Sequence, residues 1–180
     1  KQIMPKRLKI IRHLSKKYDL AINAGVAGTF RKDIGLGEVV NVVSDRFADL
    51  GAEDGGRFIL LSDIELGKVR SLKSQTLSPK SEVSSLKLNS LKGLKKVKGI
   101  TVNTVHGNAA SIRKVVKKFN PDVESMEGAA FFFACSQFKT PCIQLRAVSN
   151  FVERRNRKNW KLPLAVKNLN SFLDQLLPGL

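Results

Sequence analysis

Apolar positions along the chain fall into two patterns: short continuous runs, and longer stretches in which apolar residues recur at helical spacing. The continuous runs predict buried strands over residues 19–25, 38–43, 100–106 and 142–149. The helical spacing predicts helices over residues 1–18, 109–119, 127–138 and 163–177. Because strands alternate with helices, we expect a three-layer α/β/α fold in which helices cover both faces of a mixed, largely parallel central sheet.

One stretch departs from this alternation. Residues 67–99 contain nine Lys or Arg, seven Ser and one acidic residue, with little periodicity. Such a composition predicts a long surface loop or insertion. We therefore expect residues 1–180 to form one domain that carries this basic, serine-rich loop within it.

The composition narrows the classes of partner. The 32 basic and 15 acidic residues give a net charge of +17, which is compatible with an acidic partner such as nucleic acid. The chain has only one Trp and one Tyr and no recognised nucleic-acid-binding motif, so nucleic acid is not the expected partner. No apolar run approaches the roughly 20 residues that span a bilayer, which argues against a membrane-spanning role. Cys135 and Cys142 form neither a metal-binding spacing nor a disulfide framework, so we expect no metal and a reducing, cytoplasmic location.

Three motifs are candidates for a ligand site: Asn23–Gly28, Glu124–Gly128 and Arg146–Asn150. The first and third lie at the carboxyl ends of predicted strands, where open α/β sheets bind their ligands, and the second enters a predicted buried helix. The first motif has small residues that let backbone N–H groups approach a ligand closely. A plain strand-to-helix turn is an alternative explanation. The candidate substrate-binding residues of this motif are Gly25, Val26, Ala27 and Gly28.

The other two motifs place polar side chains beside apolar segments. Glu124 and Glu127 lie at the entry to the buried helix, where an unpaired carboxylate is costly and a specific partner is expected. Alternatively, these carboxylates are helix N-terminal charges that the helix dipole favours. Asn150 follows a buried strand, where Asn is also a common turn or cap residue.

Taken together and in this order, the motifs resemble the purine nucleoside phosphorylase and nucleosidase superfamily, and within it most closely the futalosine hydrolases of menaquinone biosynthesis. The matching runs are Asn-Ala-Gly-Val-Ala-Gly, Glu-Ser-Met-Glu-Gly-Ala-Ala and Arg-Ala-Val-Ser-Asn-Phe-Val-Glu-Arg-Arg-Asn, supported by Asp49–Glu53 and Trp160. The resemblance covers about residues 19–65 and 97–177. It implies a purine nucleoside substrate, no cofactor, and a homodimer or larger homo-oligomer. The family's water-activating glutamate lies on a first strand that would precede Lys1, so we expect the first strands to be missing.

The resemblance also assigns roles to single residues. It implies that Glu127 binds the ribose hydroxyls, that Met126 packs on the sugar, and that Asn150 meets the purine at N7 and position 6. Family members that act on 6-aminopurines have Asp at the Asn150 position, and an amide suits a 6-oxopurine because its NH₂ donates to the oxo group. Related phosphorylases bind phosphate with an Arg and a Ser in the first glycine loop, and the matching positions here are Asn23 and Val26. Valine has no donor, so water is the expected nucleophile, with Arg31 and Lys32 as a possible alternative anion site.

Two further substrate contacts follow from the resemblance. A phenylalanine that stacks on the purine in related nucleosidases is replaced around residues 108–110, and Phe151 is the candidate to substitute for it. The alternative is that Phe151 is a core residue, as most phenylalanines are. Futalosine carries a benzoate at its 5′ end, and a planar guanidinium matches a carboxylate, so at least one arginine of the run after Asn150 is expected to bind it. The candidates are Arg154, Arg155 and Arg157. The alternative is that these arginines only form a solvated surface.

The expected function is hydrolysis of the N-glycosidic bond of futalosine, with release of hypoxanthine. Within the same superfamily, a methylthioadenosine/S-adenosylhomocysteine nucleosidase and a purine nucleoside phosphorylase are the alternatives. From other classes, a non-catalytic remnant of such an enzyme and a basic nucleic-acid-binding protein remain open.

Overall fold

A computed structural model describes residues 18–60, the backbone of 72–73, and residues 91–179. The strands are β1 Ala21–Thr29, β2 Val39–Phe47, β3 Gly51–Asp54, β4 Arg57–Leu60, β5 Leu72–Lys73, β6 Lys96–Thr101, β7 Val123–Ser125 and β8 Cys142–Phe151. The α-helices are α1 Ala109–Phe119, α2 Gly128–Gln137 and α3 Leu162–Leu176. Short 3₁₀ turns follow at Arg157–Asn159 and Leu177–Gly179.

Helices α1, α2 and α3 lie where the apolar spacing predicted helices. The side chain of Asn108 caps α1 by accepting from the backbone N–H groups of Ala110 and Ser111. Asn120 ends the helix in the left-handed conformation, with φ of 44°. The apolar helix α2 is largely buried, and Pro163 lies in the first turn of α3, where its missing N–H costs nothing.

The central sheet is mixed, as predicted, and its strand order is β5-β2-β6-β7-β1-β8. Pairs β1–β8, β2–β6 and β6–β7 are parallel, whereas β1–β7, β2–β5 and β2–β8 are antiparallel. The β2–β8 pair joins the two ends of the order β2-β6-β7-β1-β8, so these five strands form a closed ring. Strands β3 and β4 form a separate hairpin.

Helices cover both faces of β8, which confirms the layered arrangement. Cys142 and Val148 pack with Phe131 and Phe132 of α2 in one hydrophobic core. Side chains of alternate parity, among them Ile143 and Leu145, pack on the other face in a second core that includes α3. This alternation is the expected period of a strand buried on both sides. No helix of the described residues is long and apolar enough to cross a membrane.

Several boundaries differ from the sequence prediction. Strand β1 runs on through Thr29, so the glycine motif is part of a strand and the alternative of a strand-to-helix turn is wrong. Strand β6 begins at Lys96, and the backbone of β5 also joins the sheet, so the predicted 67–99 loop is wrong at both places. Strand β7 was missed because three residues with two polar side chains show no apolar pattern. The predicted 1–18 helix lies outside the described residues except for Tyr18.

Candidate active site

The second and third sequence motifs meet the first across three neighbouring strands. Glu124 on β7 lies opposite Gly28 on β1, and Gly28 lies opposite Asn150 on β8. A Cβ atom at Gly28 would lie 2.9 Å from Val152 Cγ2 and 3.1 Å from Asn150 Nδ2. The glycine therefore makes room for the two side chains that lean over it, which explains this position of the motif.

Asn150 lies within β8 and not at a turn or cap, so that alternative is wrong. Its Oδ1 accepts from Ser149 Oγ at 2.8 Å, and its Nδ2 donates to the Phe151 carbonyl at 3.0 Å. An amide has two N–H groups and two acceptor lone pairs. Within the described residues, these contacts leave Asn150 with one donor and one acceptor for a ligand.

Glu127 and Met126 stand open to solvent at the start of α2. Glu127 is the N-cap residue but makes no side-chain capping hydrogen bond, and its side chain is 66% exposed. Its one ion-pair contact among the described residues is Arg146, with Nη2 at 3.7 Å from Oε2. Met126 is also exposed. A carboxylate and an apolar side chain are thus available side by side.

Arg146 is a site residue to which the sequence pattern assigned no role. Its side chain is 1% exposed, and Nη1 donates to the backbone carbonyls of Asn23 and Leu145 and to Asn23 Oδ1 at 3.0–3.3 Å. Nε and Nη2 have no hydrogen-bond partner within the part of the chain described. Burial lowers the pKa of Arg146, and the charges of Glu127 and Asp45 oppose that shift. The sequence did carry a signal for this residue, because an arginine inside a predicted buried strand is rare and indicates a specific partner.

A buried polar cluster lies beneath the first turn of α2. Asp45 accepts from Thr101 Oγ1 and from Gln144 Nε2, both at 2.9 Å. Thr101 Oγ1 in turn accepts from the backbone N–H of Ala129 at 2.7 Å. A Cβ atom at Gly128 would overlap Asp45 Oδ2. The cluster therefore fixes the helix start from which Glu127 projects.

Glu124 has a specific partner, as the sequence predicted, and it is not a helix-terminal charge. It lies in β7, is 4% exposed, and accepts from both the backbone N–H and Nδ1 of His106 at 3.0 and 2.7 Å. Burial raises the pKa of Glu124, and the hydrogen bonds from His106 oppose that rise. His106 was not among the predicted site residues, since a single histidine outside a motif gives no sequence signal.

Of the other predicted binding residues, some lie beside the site and others point into the hydrophobic cores. Val26 packs toward the α3 core and Ala27 is buried in the α2 core, so neither presents its side chain beside Asn150 or Glu127. A Cβ atom at Gly25 would lie 3.2 Å from Arg146 Nη1, so Gly25 lies under the guanidinium. Phe151 is half-buried, with Lys32 Nζ 4.4 Å from its ring centroid.

The arginine run is exposed beyond the end of β8. The Arg155 guanidinium lies 5.7 Å from the Trp160 ring centroid, and its backbone N–H donates to the Gly107 carbonyl at 3.0 Å. Arg154 and Arg157 form no ion pair with the described residues. No group of three or more His, Cys, Asp or Glu side chains could hold a metal within residues 18–60 and 91–179.

Comparison with known proteins identifies the family. Residues 10–178 match the Phosphorylase superfamily. The chain belongs to this superfamily. It is 30% identical over 167 residues to the futalosine hydrolase of Streptomyces coelicolor, covering 92% of this chain and 68% of that protein. It is 29% identical over 157 residues to the futalosine hydrolase of Thermus thermophilus, covering 87% of this chain and 68% of that protein.

A solved structure shares the fold of this phosphorylase superfamily member. A futalosine hydrolase mutant of Helicobacter pylori strain 26695 superposes with a TM-score of 0.74 at 17% sequence identity. The match covers 97% of this chain and 75% of that one. The mixed sheet with helices is therefore the superfamily fold.

The buried Asp45 predicts how the stability of this superfamily member depends on pH. Burial raises the pKa of Asp45 from 3.8 to about 6, against the opposing effects of Gln144, Thr101 and Arg146. A raised pKa means that the folded state holds the proton more tightly, so this contribution is complete below about pH 3.8 and lost as the pH rises through about 6. Between pH 4.5 and 8, the free energy of unfolding of D45N should rise relative to wild type by about 2 kcal/mol in urea titrations.

D33N is the matched control for this measurement. The hydrogen bond from Arg31 lowers the pKa of Asp33, so this carboxylate stays ionised across the same pH window. Its difference from wild type should therefore not vary with pH. The asparagine amide of D45N can pair with Gln144 Oε1, which has no hydrogen-bond partner in the described region. A pH-independent difference for D45N would contradict the raised pKa.

Proposed function

We propose that this protein hydrolyses the N-glycosidic bond of futalosine and releases hypoxanthine. The observation that carries the proposal is Asn150, an amide with one free donor and one free acceptor at the end of β8. Across the sheet, Asn150 has Gly28 and Glu124 as neighbours. The relatives of this chain at about 30% identity are futalosine hydrolases. A 6-oxopurine offers an acceptor at position 6, which matches the amide N–H.

The sugar side of the proposed reaction belongs to Glu127 and Met126. Breaking the bond leaves its electron pair on the purine and positive charge on the ribose. The exposed Glu127 carboxylate accepts hydrogen bonds from ribose hydroxyls and favours that positive charge. Arg146 keeps the carboxylate within 3.7 Å of its guanidinium and so orients it. Met126 supplies apolar contact beside it.

The base side belongs to Asn150. Its free N–H donates to the 6-oxo group, and its carbonyl accepts from N7–H as the departing purine takes up a proton. Ser149 Oγ holds the amide in the orientation that this requires. Phe151, half-buried at the end of the same strand, stacks on the ring in this proposal.

Water is the proposed nucleophile. Val26 offers no side-chain donor to phosphate, and it packs toward the α3 core. Arg31 is engaged with Asp33 and Asp122, so it is poorly placed as a substitute anion site. Incubation of the purified protein with futalosine, with and without phosphate, tests the proposal. Hypoxanthine and a free sugar product should form in both cases, and a ribose 1-phosphate product would refute hydrolysis.

Asn150 itself provides a specificity test. N150D should shift the ratio of kcat/KM for inosine over adenosine toward adenosine by about tenfold or more, because a carboxylate accepts from a 6-amino group and repels a 6-oxo group. Steady-state assays on both nucleosides measure this ratio. Equal losses on the two substrates would mean that Asn150 shapes the strand end without reading the base.

We assign recognition of the futalosine benzoate to the arginines that follow β8, which are Arg154, Arg155 and Arg157. Arg155 is held against Trp160, so we expect Arg154 or Arg157 to meet the benzoate. Alanine substitution of that residue should raise KM for futalosine about tenfold or more and change KM for inosine little, since inosine lacks the benzoate. R155A is the comparison variant. Equal effects of R154A and R157A on both substrates would place the carboxylate elsewhere.

A further inference from the structure

A series of contacts links Glu124 on β7 with the end of β8, on either side of Gly28. Glu124 and Asn150 lie on either side of Gly28 across β7, β1 and β8. Two strand spacings put their backbones about 10 Å apart. His106 bonds to Glu124, and the next residue, Gly107, accepts from the backbone N–H of Arg155, five residues beyond Asn150. The loop that carries His106 is thus hydrogen-bonded both to β7, through Glu124, and to the segment after β8, through Arg155.

The same loop is also fixed at its two ends. Asn103 donates to Asp49 through its backbone and its side chain, at 2.6 and 3.0 Å. Asn108 caps α1. His106 is therefore held by its own backbone, its ring and both flanks of its loop. A group fixed in this way is suited to presenting one ring atom in a set direction.

The pairing with Glu124 determines which ring atom that is. A carboxylate can only accept, and Glu124 already accepts from the His106 backbone N–H through Oε1. With Glu124 ionised, the contact of 2.7 Å with Oε2 therefore requires a proton on Nδ1. In the neutral imidazole the other nitrogen, Nε2, is then an acceptor. The ring remains 17% exposed, and no described residue donates to Nε2.

We propose that His106 is a second base-reading residue, with Nε2 accepting from N1–H of a 6-oxopurine on the opposite side from Asn150. This inference rests on the proposed function. Adenine has a lone pair at N1, so two acceptors would face each other and both would stay unsatisfied. Glu124 is then a positioning residue that selects the ring tautomer. The pair adds discrimination that Asn150 alone does not provide.

The substitution E124Q gives the sharpest test. The glutamine oxygen can still accept from the His106 backbone N–H, which leaves its NH₂ facing Nδ1. That donor forces the proton onto Nε2, which then matches adenine N1 and not hypoxanthine N1–H. The second variant, H106Q, still donates to Glu124 but removes the fixed ring acceptor.

The readout is binding of the two free bases by titration calorimetry, with all variants measured at pH 8. The ratio of the adenine Kd to the hypoxanthine Kd should fall about tenfold or more in E124Q and less in H106Q. E38Q is the matched control, because Glu38 pairs with Lys95 on the surface and should leave the ratio unchanged. Thermal unfolding verifies that each variant is folded.

Two kinds of failure are distinguishable. A wild-type protein that binds neither base and cleaves no nucleoside would refute the proposed function. A wild-type protein that prefers hypoxanthine, with folded E124Q and H106Q variants that keep the same ratio, would overturn the role of His106 alone.

Discussion

The substitution E127Q is expected to lower kcat/KM for futalosine by about 100-fold or more while leaving the fold intact. The loss is large because a neutral amide replaces the carboxylate that faces developing positive charge on the ribose. The fold should survive because the side chain is 66% exposed and makes no capping hydrogen bond. Steady-state kinetics and thermal unfolding measure the two effects separately.

D174N is the control for the loss of a surface carboxylate. Asp174 is exposed on α3, which packs on the opposite face of β8 from α2, and its loss should change neither measurement. A collapse of thermal stability in E127Q would show that Glu127 is a structural residue of the helix start. Unchanged kinetics in a folded E127Q would remove Glu127 from the reaction.

The substitution G128A is expected to destabilise the protein by about 2–4 kcal/mol in urea unfolding. The added Cβ would overlap Asp45 Oδ2 and would also meet the Gln144 side chain. Both of these groups are buried and hydrogen-bonded to each other, so neither can move aside without losing a contact. Activity should fall as well, because the displaced helix start carries Glu127.

G93A is the matched control for this substitution. A Cβ atom at Gly93 meets nothing within 4 Å, so the change should stay within about 0.5 kcal/mol. A G128A variant as stable as wild type would contradict the close packing of Asp45 against the start of α2. A destabilised G128A that retains full activity per folded molecule would show that the Asp45 cluster contributes to stability but does not position Glu127.

The elements that the sequence predicted well are those with long local patterns. Helix α1 matches its predicted bounds because Asn108 and Asn120 mark its ends and its apolar residues keep one face. Strand β8 was found from its apolar run, although it extends two residues further, through Asn150 and Phe151. Strand β7 could not be found, since its pairing with β6 and β1 comes from residues distant in the chain.

The chain sequence by itself determined the alternation of strands and helices and the three motifs that carry the family resemblance. Local spacing and residue type are sufficient for these, because each is expressed within a few turns or one strand. Only the tertiary structure decided that Glu124, Gly28 and Asn150 form one row, and that Arg146 lies beside Glu127. Strand register and the partners of buried charges depend on contacts between residues that are far apart in the chain. For the same reason only the structure made His106 a candidate base-reading residue, because its partner Glu124 lies 18 positions away in the chain.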